Sequence, residues 1–209
     1  GADLPQGKNL IGAFHAPSLV LSDPLTLATL PPAELRSGLS ETLKHGVIAD
    51  AVLYEQLKTE GWPQEIIAVT SLIRHAVAVK AAIIEADPYE KGLRQALNFG
   101  HTAGHGIETA SNYRLSHGDS VALGMLIETH LAEKIGLAKL GLADELGYTL
   151  SKLGLPVSIP AEIDRGAIRT AMSLDKKRSR KEIHFALPED IGRMRTGVVI
   201  EFWQDLIEL

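Results

Sequence analysis

Two histidines four residues apart, His101 and His105 in the run LNFGHTAGHG, head a series of polar side chains. The series steps back through Asn98, Arg94 and Glu90 at intervals of 4, 3, 4 and 4. Such intervals keep side chains on one face of an α-helix. The opposite positions, Leu93, Ala96, Ala103 and Ile107, are small or apolar, so the spacing predicts one helix over residues 91–110 whose polar stripe faces a partner or a cavity. A row of Glu, Arg, Asn and two His turned inward is costly to bury unless it binds something.

The chemistry open to this stripe is constrained by composition. The chain has no cysteine, so a disulfide framework and a thiolate zinc site are excluded, and His, Asp and Glu must supply any metal ligands. Two histidines on neighbouring helices plus one carboxylate make a three-ligand site with an open position, suited to catalytic zinc or a similar divalent ion. His101, His117 and a Glu are the natural set. The H-x-x-x-H pair alone is weaker: a zincin protease needs Glu directly after the first His, where Thr102 stands. A His-Asp phosphohydrolase needs the two side by side, whereas Gly118 separates His117 from Asp119.

Cations lie near enough in sequence pattern to join such a site. Glu41 and Lys44 stand one helical turn apart in SETLKHG, flanked by Leu39, Leu43, Val47 and Ile48. A surface pair of this kind is worth roughly a few tenths of a kcal/mol, but the flanks predict a largely buried helix. Lys80 is the one charge across the nine residues AVAVKAAII; it either snorkels to solvent or serves a pocket. Lys44, Lys80, Arg94 and His105 around a metal would hold a strongly anionic, oxygen-rich small molecule. His15, His75, His130 and His184 have no such company and read as structural.

The elements that must position these residues are mostly helical. Residues 10–14 and 18–21 read as two short strands around His15-Ala16-Pro17, too few to form a stable sheet alone. Residues 25–30 form a helical turn, Pro31-Pro32 a break, and residues 33–47 a helix. Asp50 caps a helix over 51–59, and a long helix runs from near Pro63 to Ala86, ended by Pro88. After the 91–110 helix, Ser116-His117-Gly118-Asp119 has the S-x-x-D spacing of a capping box and opens an apolar helix over 120–135. Gly136, Gly141 and Gly154 punctuate further helices, and residues 164–172 form another. Residues 182–187 and 197–202 alternate as a small β-ribbon.

At 209 residues and 45% hydrophobic, the chain can bury a proper core as one large domain, or one domain plus a remnant. The formal charge of -5, with one short basic cluster at residues 175–181, argues against a nucleic-acid partner. Lys80 interrupts the best apolar run and no signal peptide is recognisable, so the expectation is a cytoplasmic protein with no membrane partner.

Several segments together resemble 3-dehydroquinate synthase of the shikimate pathway. They are GKNLIGAFHAP, LPPAELRSGLSETLKHGVIAD, KAAIIEADPYEKGLRQALNFGHTAGHGIE, SHGDSVALGM, the late DKK, and IHFALPEDIG, in that order along nearly the whole chain. The resemblance implies a mainly α fold, the multi-helix C-terminal domain of the dehydroquinate synthase-like fold with short strands at both chain ends. By it, residues 1–30 are remnant strands and a turn of a missing NAD-binding α/β domain, and 31–209 are the helical metal- and substrate-binding domain. No G-x-G-x-x-G unit occurs, and the expectation is a homodimeric enzyme whose present fragment is inactive without its nucleotide-binding part.

The same resemblance implies roles. Glu41, His101 and His117 would be ligands of a divalent metal, zinc or cobalt. Lys44, Lys80, Arg94, Asn98, His105 and Asn9, with Lys176 or Lys177, match positions that grip a seven-carbon keto-sugar acid phosphate, and Glu90 a carboxylate in that pocket. Lys8 and Thr26-Leu27-Ala28-Thr29 match the part of the region that touches NAD. The implied reaction is transient oxidation of a ring hydroxyl by NAD, β-elimination of phosphate, return of the hydride, and ring opening with aldol closure to dehydroquinate. The sequence departs from the family's usual pattern at Ala103 (an aromatic), Asp119 (Glu) and His45 (Tyr). Alternatives are a related inosose- or valiolone-forming sugar-phosphate cyclase, a metal-dependent polyol dehydrogenase, or a non-catalytic metal-binding module. Retention of Lys80, Arg94 and Asn98 together favours the carboxylated substrate.

Overall fold

The computed structural model describes residues 2–4, 7–13, 15, 17–179, 182–201 and 203. Strands β1 (Ala2–Leu4) and β2 (Gly7–Ile11) pair antiparallel at the start of the chain. Residues 18–21, expected to be a strand, are not one. Leu19, Val20 and Leu21 extend into solvent, Leu21 86% exposed, because a strand exists only through its pairing and this segment has no ladder partner among the described residues. The other expected strand, 10–14, is met only at Leu10 and Ile11, where β2 ends; Gly12 and Ala13 are not strand, and Phe14 lies outside the described residues. A 3-10 helix, Pro24–Thr29, follows, with the Asp23 side chain accepting from the Leu25 N–H.

Helix α1 (Pro32–Ala49) starts on Pro31-Pro32, where a missing N–H costs nothing, and buries Leu39, Leu43 and Val47. Asp50 ends α1 and caps α2 (Ala51–Glu60), its carboxylate accepting from the Leu53 N–H at 3.0 Å. Helix α3 (Ile66–Ala86) buries Val69, Leu72, Ala76, Val79 and Ile83, a 3-4-3-4 stripe against α1. Lys80 does not break this run, contrary to expectation. By length and composition α3 is apolar enough to cross a membrane, since isolated cations on a long helix lower its average hydropathy too little to exclude it. Its inward stripe nevertheless belongs to the core it shares with α1 and α5.

The expected single helix over 91–110 is two elements. Asp87 accepts from the backbone N–H groups of Lys91, Gly92 and Arg94 and folds the chain into a 3-10 helix, Leu93–Asn98. Phe99 and Gly100 then turn it into α4 (His101–Ala110). Gly100 sits at φ +76°, and a Cβ there would meet Met125 Cγ at 2.5 Å, so only glycine can make this turn.

Helix α5 (His117–Lys134) is the centre of the domain. Ser116 accepts from the Asp119 N–H at 3.1 Å, as the capping-box spacing predicts. The helix is buried nearly all round: Val121, Ala122 and Met125 belong to the cluster with α1 and α3, while Leu123, Ile127 and Leu131 belong to a second cluster with α4 and the C-terminal elements. Helices α6 (Leu142–Lys152) and α7 (Arg165–Ser179) complete the layers, α7 opened by Asp164 accepting from Gly166 and Ala167. Strands β3 (His184–Asp190) and β4 (Arg193–Val199) form an antiparallel hairpin, bound to α1 through Gly192 N–H to Val47 O at 2.8 Å. The mainly α expectation holds, and the ribbon is longer than the alternation indicates; its expected end, Phe202, lies outside the described residues.

Candidate metal centre and anion pocket

Three elements deliver the ligand candidates. Glu41 comes from the middle of α1, His101 is the first residue of α4 and His117 the first of α5. Glu41 Oε1 lies 3.4 Å from His101 Nε2 and 3.8 Å from His117 Nε2. Donor atoms bonded to one tetrahedral ion at ~2.0–2.1 Å stand roughly 3.3 Å apart, so the spacing fits a divalent ion. Glu41 Oε1 is buried with no hydrogen-bond partner, the condition expected of an atom whose partner is a cation.

The remaining atoms of these side chains are already committed. His101 Nδ1 lies 3.2 Å from Phe99 O; a carbonyl only accepts, so Nδ1 carries the proton and Nε2 offers its lone pair to the shared position. His117 Nδ1 faces the buried carboxylate Glu108 Oε2 at 3.5 Å, which leaves Nε2 turned to Glu41 in the same way. Glu41 Oε2 pairs with Lys44 Nζ at 2.7 Å. Glu108 and His105 could also share His117 in a second ligand group.

Electrostatics suits the arrangement. Burial, then Lys44, pushes His101 down to about 4, so it is neutral and able to ligate at physiological pH. Burial works against the Glu41 charge, but Lys44, His101 and His45 outweigh it and hold the carboxyl below the usual range. Lys44, 3% exposed, is lowered by burial and restrained by Glu41. His45 is pushed down to about 4 by burial, with Lys44 and Lys80 adding to the effect. Lys80 is exposed on α3 yet close enough for its charge to act on both Lys44 and His45.

The other anticipated residues distribute around this cluster. His105 is one turn beyond His101, its ring 5.3 Å from His101 and 5.8 Å from His117. Asn98 Nδ2 donates to Glu90 Oε1 at 2.9 Å, and Arg94 donates to Pro88 O at 2.8 Å, so Asn98 pairs with Glu90 and Arg94 with the loop backbone rather than all three continuing one helical face. Thr26 donates to Asp23 O and Thr29 to Thr26 O within the exposed 3-10 turn that also carries Leu27 and Ala28, packed beside α3. Lys8 and Asn9 lie on β2, and Lys176 and Lys177 on the last turn of α7, placed by backbone alone.

Two carboxylates escape a reading of the sequence. Glu108 follows His105 by three residues and faces His117. Glu128, on α5, is fully buried and accepts from Gly100 N–H at 2.7 Å and Ala103 N–H at 3.0 Å, with the Thr102 N–H also acting on it. Burial pushes its carboxyl up to about 8, against the opposing pull of these donors. A signal for it does exist: it is the only carboxylate between Asp119 and Glu133 in an otherwise apolar helix.

Solved structures share this arrangement of elements. A 2-epi-5-epi-valiolone synthase from Streptomyces hygroscopicus, with NAD+ and Zn2+ bound, superposes with a TM-score of 0.80 at 30% identity, covering 96% of this chain and 56% of that one. A 2-deoxy-scyllo-inosose synthase complexed with carbaglucose-6-phosphate, NAD+ and Co2+ gives a TM-score of 0.83 at 23% identity over 98% and 60%, a likeness of fold. The domain is therefore of the dehydroquinate synthase-like class.

Within that class, the model of the 3-dehydroquinate synthase C-terminal family matches residues 38–178 and that of the N-terminal family residues 1–37. The chain belongs to the 3-dehydroquinate synthase family. The 3-dehydroquinate synthase of a Synechococcus strain is 42% identical over 93% of this chain and 54% of its own length, and that of Crocosphaera subtropica 38% over 100% and 59%. The chain thus spans a little over half the length of these relatives.

Proposed function

We propose that this chain supplies the metal- and substrate-binding part of a 3-dehydroquinate synthase, which converts 3-deoxy-arabino-heptulosonate 7-phosphate to 3-dehydroquinate and phosphate, a carbon-oxygen lyase reaction. The observation that carries the reading is the convergence of Glu41 Oε1, His101 Nε2 and His117 Nε2 beside the buried Lys44. When bound, a zinc or cobalt ion would lend Lewis acidity to a substrate hydroxyl, and NAD would take up and return a hydride.

The chain's own residues hold and orient. Lys44 keeps Glu41 ionised and aimed, and the Phe99 carbonyl and Glu108 fix the two rings. Lys80, His105 and Arg94, with Asn98, Glu90, Asn9 and Lys176, are the proposed grip on carboxylate, hydroxyls and phosphate; Lys8 and residues 26–29 are the proposed NAD contact. Holding one conformer of a flexible acyclic-to-cyclic substrate against a fixed cationic frame is the main rate contribution such a site can make. The division at about residue 30, a homodimeric assembly and a cytoplasmic location belong to the same proposal.

Phosphate release measured with zinc or cobalt, NAD and the heptulosonate phosphate, with and without a separately supplied nucleotide-binding domain of a relative, tests it. Release is expected with the added domain. No release in either mixture, from folded and metal-loaded protein, refutes the reading. Release from a heptulose phosphate lacking the carboxylate, in place of the carboxylated substrate, would reassign the chain to the valiolone-forming cyclases.

A further inference from the structure

Helix α4 begins without a cap of its own. Its N-cap is Gly100, which has no side chain to offer the first-turn N–H groups, and unsatisfied first-turn donors fray a helix. The missing acceptor comes from another helix: Glu128, eleven residues into α5, reaches across with Oε2 on Gly100 N–H and Oε1 on Ala103 N–H. These amides, with the Thr102 N–H also acting on the carboxyl, bracket His101.

We infer that Glu128 is a positioning residue for the metal centre, a cap donated by α5 that fixes the backbone of the ligand His101 relative to its partner His117. The inference rests on the reading of Glu41, His101 and His117 as a metal triad. Its geometry is reinforced by the contact beside it: a Cβ on Gly124 would meet Gly100 O at 2.0 Å and Gly104 N at 2.8 Å, so α4 and α5 touch backbone to backbone where the cap binds. Both histidines begin helices, and the carboxylate ties the start of one helix to the body of the other. Release of that tie leaves His101 attached to a frayed turn while His117 stays in place.

The test uses the 209-residue chain stripped of metal and titrated with Co2+. Its visible absorption reports ligand geometry, and chelator competition gives its affinity. Glu128→Gln keeps the shape but replaces one accepting oxygen with an NH2 group, which cannot accept from the backbone N–H it faces. It is expected to bind Co2+ roughly 10–100-fold more weakly, the range for outer-shell partners, with a changed absorption envelope; Glu128→Asp keeps both oxygens and is expected to lose less. Leu146→Ala, a core truncation on α6, supplies a destabilised control expected to keep wild-type affinity and spectrum in its folded fraction.

Wild-type affinity and spectrum in folded Glu128→Gln overturn the inference, as does a loss in Leu146→Ala equal to that in Glu128→Gln. Should Glu128→Gln not fold, Glu128→Asp decides alone: weaker binding with an altered spectrum supports the role, and unchanged binding overturns it. Failure of the wild-type chain to bind any Co2+ is a different result, because it overturns the triad itself and this role with it.

Discussion

Acid should destabilise this domain through His45, and the size of the effect follows from where the ring lies. His45 is 8% exposed, its Nδ1 has no hydrogen-bond partner, and Lys44 and Lys80 act on it from α1 and α3, opposed by Glu41. Folding lowers its pKa from 6.5 to about 4. Between those values the unfolded chain takes up a proton that the folded chain refuses, so stability falls as pH falls from 6.5 towards 4, and this contribution levels off below. Each pH unit in that window costs ~1.4 kcal/mol. With the unfolded histidine largely protonated at pH 5 and the folded one largely neutral, the loss relative to pH 7.5 is about 2 kcal/mol. Urea denaturation of the wild type and of His45→Gln at pH 7.5 and 5.0, with chelator present to remove metal linkage, measures it. The variant should lose about 2 kcal/mol less between the two pH values, whatever its offset at pH 7.5. Equal losses in both proteins would refute the argument, since every other titrating group is common to them.

Three further outcomes follow from contacts described above. Glu41→Gln should lower Co2+ affinity by more than about 100-fold, beyond the loss of an outer-shell partner. It should also destabilise the apo chain by about 3–5 kcal/mol by leaving Lys44 buried and unpaired; chelator competition and denaturant melts read the two effects separately. Glu108→Gln should weaken Co2+ binding about 10-fold by loosening the His117 ring, with little change in an apo melt. Gly124→Ala forces a methyl into the Gly100 carbonyl and should cost at least about 3 kcal/mol; thermal unfolding of the apo chain gives the value, and a variant as stable as wild type would show that the helices can separate freely.

The features legible in the sequence are those set by neighbours in the chain. The Ser116 cap, the Asp50 cap and the glycines ending helices act within a few residues, and each stands where its spacing predicts. The 91–110 segment misleads because intervals of 4, 3, 4 and 4 suit a continuous helix, while the competing event, Asp87 collecting three backbone N–H groups, draws the chain into a 3-10 turn. His101 and His105 keep their one-turn relation, but Arg94 and Asn98 reach their places by a different path. Residues 18–21 alternate no differently from a strand; only the lack of a pairing segment among the described residues decides against one. Glu128 and Gly100 meet across 28 residues, and no local pattern marks such a pair. A lone acid in an apolar helix raises the question, as Lys80 does on α3.

The divided carboxylate of Glu41 has a thermodynamic consequence. With one oxygen on Lys44 and the other facing two histidines, the Glu41–Lys44 pair sums to zero charge, and His101 is neutral. An arriving divalent ion therefore finds its one carboxylate ligand already offset by Lys44, and its field extends to any anion held by the neighbouring cations. Metal and any such anion are then linked equilibria: whatever factor the ion adds to the affinity for the anion, the anion must return to the ion.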